Sequence, residues 1–372
     1  MSSLNPLFDR RRLSRYPTTK DTSLQAWDAA DEYLVHHIES TYSDNSNQHL
    51  LIVNDDFGAL TTALANRFTL SHWHDSLLAQ KAAQINLQQN HIPNPVNFIA
   101  STQVPKVNFD AVVIKPSKNH RLFHYQLALL AFHYPDIPVF IGLMQKQITT
   151  GLKAIITQNL DSVTPSLARK KSRIISGRLS NNESLPETYH CYRHKGLTIA
   201  NYPNVFSADS IDIGTRFLLD HLAAIPKANS ILDLGCGNGI LAAFAAQHNN
   251  EAQIVGVDES YMAIASAQQT FELNHLNSGQ FYVSNMLEAI KQQPFDLILC
   301  NPPFHHKQQT TTATAHKMFR QSLSQLTPGG QLWVVANRHL KYHQTIKKMF
   351  GNLAVLQSNA KFVILTAQAN PS

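Results

Sequence analysis

Cysteine is scarce in this chain, with three residues among 372. Cys191, Cys236 and Cys300 lie far apart and form no CxxC pair, so neither a zinc site nor a disulfide framework is indicated. The 19 histidines are numerous but scattered, and their positions do not follow the spacing of metal ligands. We therefore expect a protein that holds no metal.

Long apolar runs are also missing. No run approaches the roughly 20 residues that a membrane-spanning helix needs. The N-terminal stretch MSSLNPLFDRRRLSRYP lacks the apolar core of a signal peptide. These absences predict a cytoplasmic protein without a membrane partner.

Composition indicates a folded protein of more than one domain. Hydrophobic residues make up 43% of the chain and charged residues 15%, a balance that argues against long disorder. At 372 residues the chain is long enough for two domains with separate cores. The formal net charge of +6 favours a polyanionic partner without establishing one.

The sequence contains an internal duplication. The segment 109–116 (FDAVVIKP) can be laid on 295–302 (FDLILCNP) at a constant offset of 186 residues (295 − 109). The turn at 53–60 likewise falls opposite the turn at 233–240. Alternating strand and helix patterns predict an α/β protein of two tandem, doubly wound domains. The polar segment 180–195 places their boundary, giving domains of residues 1–190 and 191–372.

A glycine-rich turn in the second half predicts a cofactor site. Gly235, Gly237 and Gly239 lie between a strand and a helix, where glycine lets the backbone approach a ligand closely. Asp233 places a carboxylate where an ammonium group could bind, and Asp258 ends the next strand, where a carboxylate accepts both hydroxyls of a ribose. Asn285, which ends the third strand, is the candidate for hydrogen bonding to the adenine edge. Sites for an ammonium group, a ribose and an adenine together describe S-adenosyl-L-methionine, whereas NAD would explain only Asp258.

The closing strand fits the same interpretation. After the strand at 331–336, the link 350–360 contains Gly351 and Asn352 and resembles a hairpin-like return. We therefore expect the strand at 361–366 to run antiparallel on an otherwise parallel sheet, as in the class I methyltransferase fold.

The second distinctive turn follows the apolar strand 295–300. Pro302 and Pro303 prevent further strand pairing. The Asn301 side-chain oxygen and the Pro302 carbonyl can accept hydrogen bonds from an exocyclic amine, and Phe304 can stack on a flat ring. His305 is a candidate substrate contact, with proton transfer as the alternative role. An ordinary turn with a buried Phe is the competing interpretation of these residues alone.

The first half keeps the pattern but lacks these groups. It has only Gly58 in the corresponding turn, Asp55 and Asp56 would repel an anionic ligand group, and Lys115 cannot accept a hydrogen bond from an amine. We therefore expect a degenerate domain that kept the fold and lost the small-molecule site, with a changed site for another small molecule as the alternative. Its candidate phosphate contacts are the basic residues Arg10, Arg11, Arg12, Lys115, Lys118, Arg169, Lys170, Lys171 and Arg173.

These motifs resemble those of a known family. The second half is similar to class I S-adenosylmethionine-dependent methyltransferases of the ribosomal RNA guanine-N2 group, through the segments 233–239, 257–260, 301–305 and the stretch from Phe206 to Arg216. The segments 15–17, 24–34 and 336–340 resemble the large-subunit methyltransferase G family, a sibling of the 16S rRNA methyltransferase C family.

The resemblance covers essentially the whole chain and implies methylation of N2 of one guanine in 23S ribosomal RNA. It assigns the methionine part of the cofactor to Asp233 and the three glycines, the ribose to Asp258 and the adenine to Asn285. The target guanine falls to Asn301, Pro302 and Phe304, with Phe206, His305 and Arg338 as further substrate contacts. Many relatives carry Asp where Asn285 stands, which weakens the assignment of the adenine contact.

Other functions stay open at this point. The same turn also suits methylation of 16S ribosomal RNA, of adenine N6 or of a protein glutamine, since each needs a pair of acceptors for an NH2 group. A non-catalytic RNA-binding protein is disfavoured because the second half keeps every cofactor element that the first half lost. We expect a monomer.

Overall fold

A computed structural model describes residues 8, 11–18, 21, 23–43, 47–93, 95–205, 210–290, 293–303 and 308–370. The chain divides into two compact units, Met1–Thr188 and Tyr189–Ser372. Each unit is an α/β domain with its own sheet and its own hydrophobic core.

Strands and helices alternate in the N-terminal unit. Its strands are β1 (His49–Val53), β2 (Thr69–His74), β3 (Val96–Ala100), β4 (Ala111–Ile114), β5 (Pro138–Met144), β6 (Leu160–Pro165) and β7 (Ser172–Leu179). Its helices, as far as the structure describes them, are α1 (Ala29–Thr41), α2 (Ala59–Leu64), α3 (Leu77–Gln89), α4 (His120–His133) and α5 (Thr150–Asn159).

These strands form one sheet in the order β3-β2-β1-β4-β5-β7-β6. Strands β1 to β5 pair in parallel, whereas β7 runs antiparallel to β5. Every residue of β4 is buried, as a strand covered by helices on both faces requires.

The C-terminal unit repeats this plan after a short hairpin. The hairpin is β8 (His190–His194) and β9 (Leu197–Asn201), and the sheet strands are β10 (Ser230–Leu234), β11 (Gln253–Asp258), β12 (Gly279–Val283), β13 (Phe295–Cys300), β14 (Leu326–Asn337), β15 (Ala354–Ser358) and β16 (Phe362–Gln368). The helices in the described part of this unit are α6 (Ile213–Leu219), α7 (Ile240–His248), α8 (Tyr261–Leu273), α9 (Gln308–Gln325) and α10 (Tyr342–Phe350).

The second sheet has the order β12-β11-β10-β13-β14-β16-β15, which matches the first sheet strand for strand. The predicted duplication and doubly wound α/β fold are therefore confirmed. Strand β16 runs antiparallel to β14, as the sequence predicted. The link 350–360 is more than a simple return, because it carries β15, which pairs antiparallel with β16.

The first helix begins later than its apolar spacing predicts. The apolar spacing of Leu24, Trp27, Ala30 and Leu34 predicts a helix that starts at Leu24, but α1 begins at Ala29. Asp28 is the N-cap, and its carboxylate accepts from the backbone N–H of Asp31 while the Asp31 carboxylate accepts from the backbone N–H of Asp28. This capping box satisfies free amides of the first turn and so fixes the start of the helix.

The described residues contain neither a helix that could span a membrane nor a cluster of metal ligands. No helix among them has the length and apolar character needed to cross a membrane. No group of three or more His, Cys, Asp or Glu in the same part of the chain is arranged to hold a metal ion.

Candidate active site

Among the described residues of the C-terminal unit, Asp233, the glycine turn, Asp258 and Asn301 lie at one edge of its sheet. Strand β10 lies between β11 and β13, and both neighbours run parallel to it. Leu234 pairs with Val257 on one side and with Cys300 on the other. Because parallel strands end at the same edge, the glycine turn after β10 lies between Asp258 of β11 and Asn301 after β13.

The glycine turn has a left-handed backbone that other residues rarely adopt. Gly237 has a φ of 53° and a methyl group added there would meet nothing within 4 Å, so the backbone borders open space. Gly239 has a φ of 76°, and an added methyl would lie 2.9 Å from the Cα of Ala267. Gly237 thus leaves room for a ligand, whereas Gly239 allows two helices to pack closely.

Asp233 is a buried carboxylate, and one of its oxygens has no partner in the part of the chain that the structure describes. Its Oδ2 accepts from the backbone N–H of Ala242 over 3.1 Å, and its Oδ1 has no hydrogen-bond partner although it is buried. Burial, together with the charge of Asp258, raises the pKa of Asp233 to about 7. A cationic group beside Oδ1 would both satisfy this oxygen and stabilise the ionised form.

Asp258 is joined to the glycine turn. Its Oδ2 accepts from the backbone N–H of Gly237 over 3.1 Å, and its Oδ1 accepts from the N–H of Ser260 over 3.0 Å. A carboxylate has about four lone-pair sites, so it can still accept from hydroxyl groups. Asn285 is buried near the end of β12, and its amide nitrogen donates to Glu288 over 2.5 Å.

A contact behind the glycine turn was not foreseen from the sequence. The buried Asn238 side chain donates to Asn201 Oδ1 over 2.9 Å and to the Tyr192 hydroxyl over 3.4 Å. Asn201 ends β9 and Tyr192 lies in β8, so the hairpin braces the turn. Asn238 stands at a variable position of the GxGxG pattern, and the only signal was its amide side chain.

Asn301 presents a buried carbonyl oxygen that has no hydrogen-bond partner among the described residues. Its Nδ2 donates to the Thr215 hydroxyl over 2.8 Å and reaches Asp212 Oδ2 at 3.5 Å, whereas Oδ1 is without a hydrogen bond. Pro302 is buried beside it. Burial raises the pKa of the Cys300 thiol, which favours its protonated and weakly nucleophilic form.

The remaining predicted substrate contacts are only partly described. Phe206, Phe304 and His305 lie outside the described residues. Arg338 follows β14 at the same edge of the sheet, and its guanidinium donates to the backbone carbonyl of Asn359 over 3.2 Å.

At the equivalent edge of the N-terminal unit, Asp55 and Lys115 have partners within the unit. Asp55 accepts from the backbone N–H groups of Ala59 and Thr61 and from the Thr61 hydroxyl, at distances of 2.8 to 2.9 Å. The Lys115 ammonium lies 2.8 Å from both Asp28 and Asp31. The predicted phosphate contact of Lys115 is disfavoured, because the ammonium is already ion-paired inside the unit.

The other basic candidates differ in solvent exposure and in their contacts within the unit. Lys170 pairs with Glu32 over 3.1 Å, Arg169 lies over the Tyr33 ring at 5.1 Å, and Arg173 donates to the Ser166 carbonyl. Arg10 lies outside the described residues, and Arg11 and Arg173 are half-buried. The exposed members of the set are Arg12, Lys118, Arg169, Lys170 and Lys171.

Comparison with known families assigns both units. Residues 196–366 match the Methyltransferase small domain family, and residues 1–181 match the RLMG N-terminal domain family. In fold, the chain is similar to a 16S rRNA N2 methyltransferase of T. Thermophilus (RsmC) in complex with AdoMet and guanosine. The TM-score is 0.76 at 21% identity, covering 92% of each chain.

Relatives match over almost the full length. The ribosomal RNA large subunit methyltransferase G of Vibrio cholerae is 39% identical over 95% of this chain and 96% of its own length. That of Aliivibrio salmonicida is 37% identical over 97% of each chain. With this identity over nearly the whole sequence, the chain belongs to the ribosomal RNA large subunit methyltransferase G family.

Proposed function

We propose that this protein transfers a methyl group from S-adenosylmethionine to the exocyclic N2 amine of a guanine in 23S ribosomal RNA. The observation that carries the proposal is the buried, unpartnered Oδ1 of Asn301 at the sheet edge that also holds the glycine turn. A buried acceptor without a partner is costly unless a donor from the substrate reaches it. The names of the full-length relatives support the choice of large-subunit RNA.

The residues present fit the cofactor. The unpartnered Asp233 Oδ1 suits an ammonium group, the open side of Gly237 accommodates a ligand, and Asp258 suits ribose hydroxyls. We assign the methionine part to Asp233, Gly235, Gly237 and Gly239. Asn285 stays the candidate for the adenine edge. When bound, S-adenosylmethionine supplies an electrophilic methyl group.

The chain's own contribution is to position a weak nucleophile. The lone pair of guanine N2 is delocalised into the ring, so the amine attacks poorly by itself. Asn301 Oδ1 and the Pro302 carbonyl would each accept a hydrogen bond from the N2 amine and so favour a tetrahedral nitrogen. Phe304 would stack on the base. Positioning and fixed dipoles then supply most of the rate, and no strong general base is needed because methylation makes the N–H acidic.

We assign RNA binding to residues 1–190 and catalysis to residues 191–372. A base in a duplex must be extruded, or presented from a loop, before it reaches a pocket. Asp55 and Lys115 already occupy the first unit's sheet edge with internal contacts, and the exposed cations include Lys118, Arg169 and Lys171. This supports a clamp on RNA phosphates. We infer a monomeric protein that works in the cytoplasm.

The proposal is tested by incubating the purified protein with labelled S-adenosylmethionine and, separately, 23S rRNA, 16S rRNA and bulk protein. Digestion of the labelled product to nucleosides or amino acids then identifies the methylated group. We expect label in N2-methylguanosine from 23S rRNA. Label confined to 16S rRNA, to N6-methyladenosine or to glutamine would contradict the proposal and identify the substrate in its place.

A further inference from the structure

The Asn301 amide is held at its nitrogen by a short chain of hydrogen bonds. Nδ2 donates to the Thr215 hydroxyl over 2.8 Å, and that hydroxyl lies 3.5 Å from Asp212 Oδ2. Asp212 is the N-cap of α6, and its Oδ2 also accepts from the backbone N–H of Thr215 over 3.0 Å. Thr215 is 9% exposed, so bulk water competes little for these bonds.

The chemistry of the chain fixes the direction in which the amide points. Asp212 Oδ2 is an acceptor, since it already accepts from the Thr215 backbone N–H, so the Thr215 hydroxyl directs its proton to Asp212 and turns its lone pairs toward Asn301. Only the NH2 end of the amide can then face Thr215 and Asp212. The carbonyl oxygen is left on the other side, where it is buried and unpartnered.

The N-terminal unit contains the same arrangement with different residues. Lys115 directly follows β4, as Asn301 directly follows β13, and its ammonium donates to Asp28 and Asp31 over 2.8 Å. Asp28 and Asp31 are the N-cap and third residue of α1, the places that Asp212 and Thr215 hold in α6. In both units this position therefore donates toward the helix start, which independently supports the amide orientation.

We propose that Thr215, oriented by Asp212, is a positioning residue for methyl transfer: it fixes the Asn301 amide so that Oδ1 accepts a hydrogen bond from the substrate amine. Thr215 acts through Asn301, so we do not count it as a catalytic residue. The inference rests on the proposed function for its catalytic consequence. It does not rest on that function for its structural content.

Thr215→Val tests the proposal with little change in shape. Valine keeps the side-chain volume and the backbone N–H that Asp212 caps, but it cannot accept from Asn301. We expect kcat for 23S rRNA to fall by about 10²-fold because the amide is no longer held in the productive orientation. Dissociation constants for S-adenosylmethionine and RNA should stay within about twofold. Thr215→Ser, which restores the hydroxyl, should recover most of kcat.

Two further comparisons separate positioning from a merely structural role. In an Asn301→Ala background, adding Thr215→Val should lower kcat no further, because the two residues act as one unit. A loss that appears as weaker cofactor or RNA binding would overturn the proposal. So would a Thr215→Val loss that multiplies with that of Asn301→Ala.

A nuclear magnetic resonance measurement makes the test independent of methyl transfer. In protein labelled with 15N-asparagine, the Asn301 NH2 signals are assigned by their absence in Asn301→Ala. We expect Thr215→Val to shift these signals and speed their exchange with water, and Thr215→Ser to preserve them. Unchanged signals in Thr215→Val would refute the positioning role. Wild-type protein that modifies no guanine would refute the proposed function and leave this readout valid.

Discussion

The Lys115 ammonium lies 2.8 Å from Asp31 Oδ1, at the place where Asn301 meets Thr215 in the other unit. Both contacts join the end of the fourth sheet strand to the start of a helix. In the C-terminal unit the donor is the Asn301 amide, whose oxygen stays available as an acceptor. The Lys115 ammonium has three donors and no acceptor. One exchange of residue type thus replaces an amine acceptor with an internal ion pair.

Removing the Lys115 charge should destabilise the N-terminal unit. Lys115→Met leaves the buried Asp31 carboxylate without its cation, and breaking a buried pair in this way costs about 3–5 kcal/mol. Burial raises the pKa of Asp31 to about 7. The carboxyl group therefore takes up a proton as the pH falls below 7, and the destabilisation should be smaller near pH 5 than near pH 8. Urea denaturation at both pH values measures the difference.

A double substitution provides the matched control. Lys115→Asn combined with Asp31→Thr reproduces the residue types of Asn301 and Thr215, so it should recover much of the stability that Lys115→Met loses. A double variant as unstable as Lys115→Met would mean that the two units do not share this contact geometry.

Asp233→Asn should separate stability from cofactor binding. The folded-state pKa of Asp233 is raised to about 7, above the value in an unfolded chain. Its contribution to stability is therefore present at low pH and is lost as the pH rises through about 7. Relative to wild type, the ligand-free Asp233→Asn protein should gain more in Tm near pH 8 than near pH 5, while its affinity for S-adenosylmethionine falls. An equal Tm change at both pH values would contradict the assignment.

Substitutions at Gly237 and at Gly239 of the glycine turn should have different effects. Gly237→Ala adds a methyl group to open space at a φ of 53°, so it should weaken cofactor binding with a stability cost of about 1 kcal/mol from backbone strain. Gly196→Ala is the control, since Gly196 lies in the β8–β9 turn and also has a positive φ, of 87°. A methyl group added at Gly196 would likewise meet no described atom within 4 Å. Equal cofactor affinity in the two variants, measured by calorimetry, would refute a role for Gly237. Gly239→Ala should destabilise more than either because of the contact with Ala267.

Adjacent lysines test RNA binding by the N-terminal unit. Lys170 pairs with Glu32, whereas Lys171 is exposed and forms no ion pair in the part of the chain that the structure describes. Lys171→Ala should reduce the slope of log affinity against log salt by about 1, because one phosphate contact is lost. Lys170→Ala should change the slope less. Filter binding of 23S rRNA across a salt series gives both slopes, and identical wild-type slopes in both variants would exclude this surface.

The sheet and the site edge could be predicted from the sequence because their signals are local. The apolar run of β13, the two prolines after it and the glycine turn each determine structure within a few residues. The constant offset between segments 109–116 and 295–302 indicated the internal duplication. The start of α1 at Ala29 was missed because the Asp28–Asp31 capping box outweighed apolar spacing that began at Leu24.

Contacts between distant segments could not be predicted. Lys115 looks like a surface cation in the sequence, yet packing brings it to Asp28, which lies 87 positions earlier in the chain. The link between Asn301 and Thr215 spans 86 positions and has no local signal. The same holds for Asn238, whose partners lie on the β8–β9 hairpin.

The central claim is that Asn301 holds the guanine amine for methyl transfer, and one measurement tests it most directly. Single-turnover transfer of labelled methyl to 23S rRNA is compared between wild type and Asn301→Ala at saturating S-adenosylmethionine, with cofactor affinity measured in parallel. We predict N2-methylguanosine from the wild type, a rate lower by about 10²-fold or more in the variant, and equal cofactor affinity. Near-full turnover in Asn301→Ala with normal cofactor binding would contradict the account.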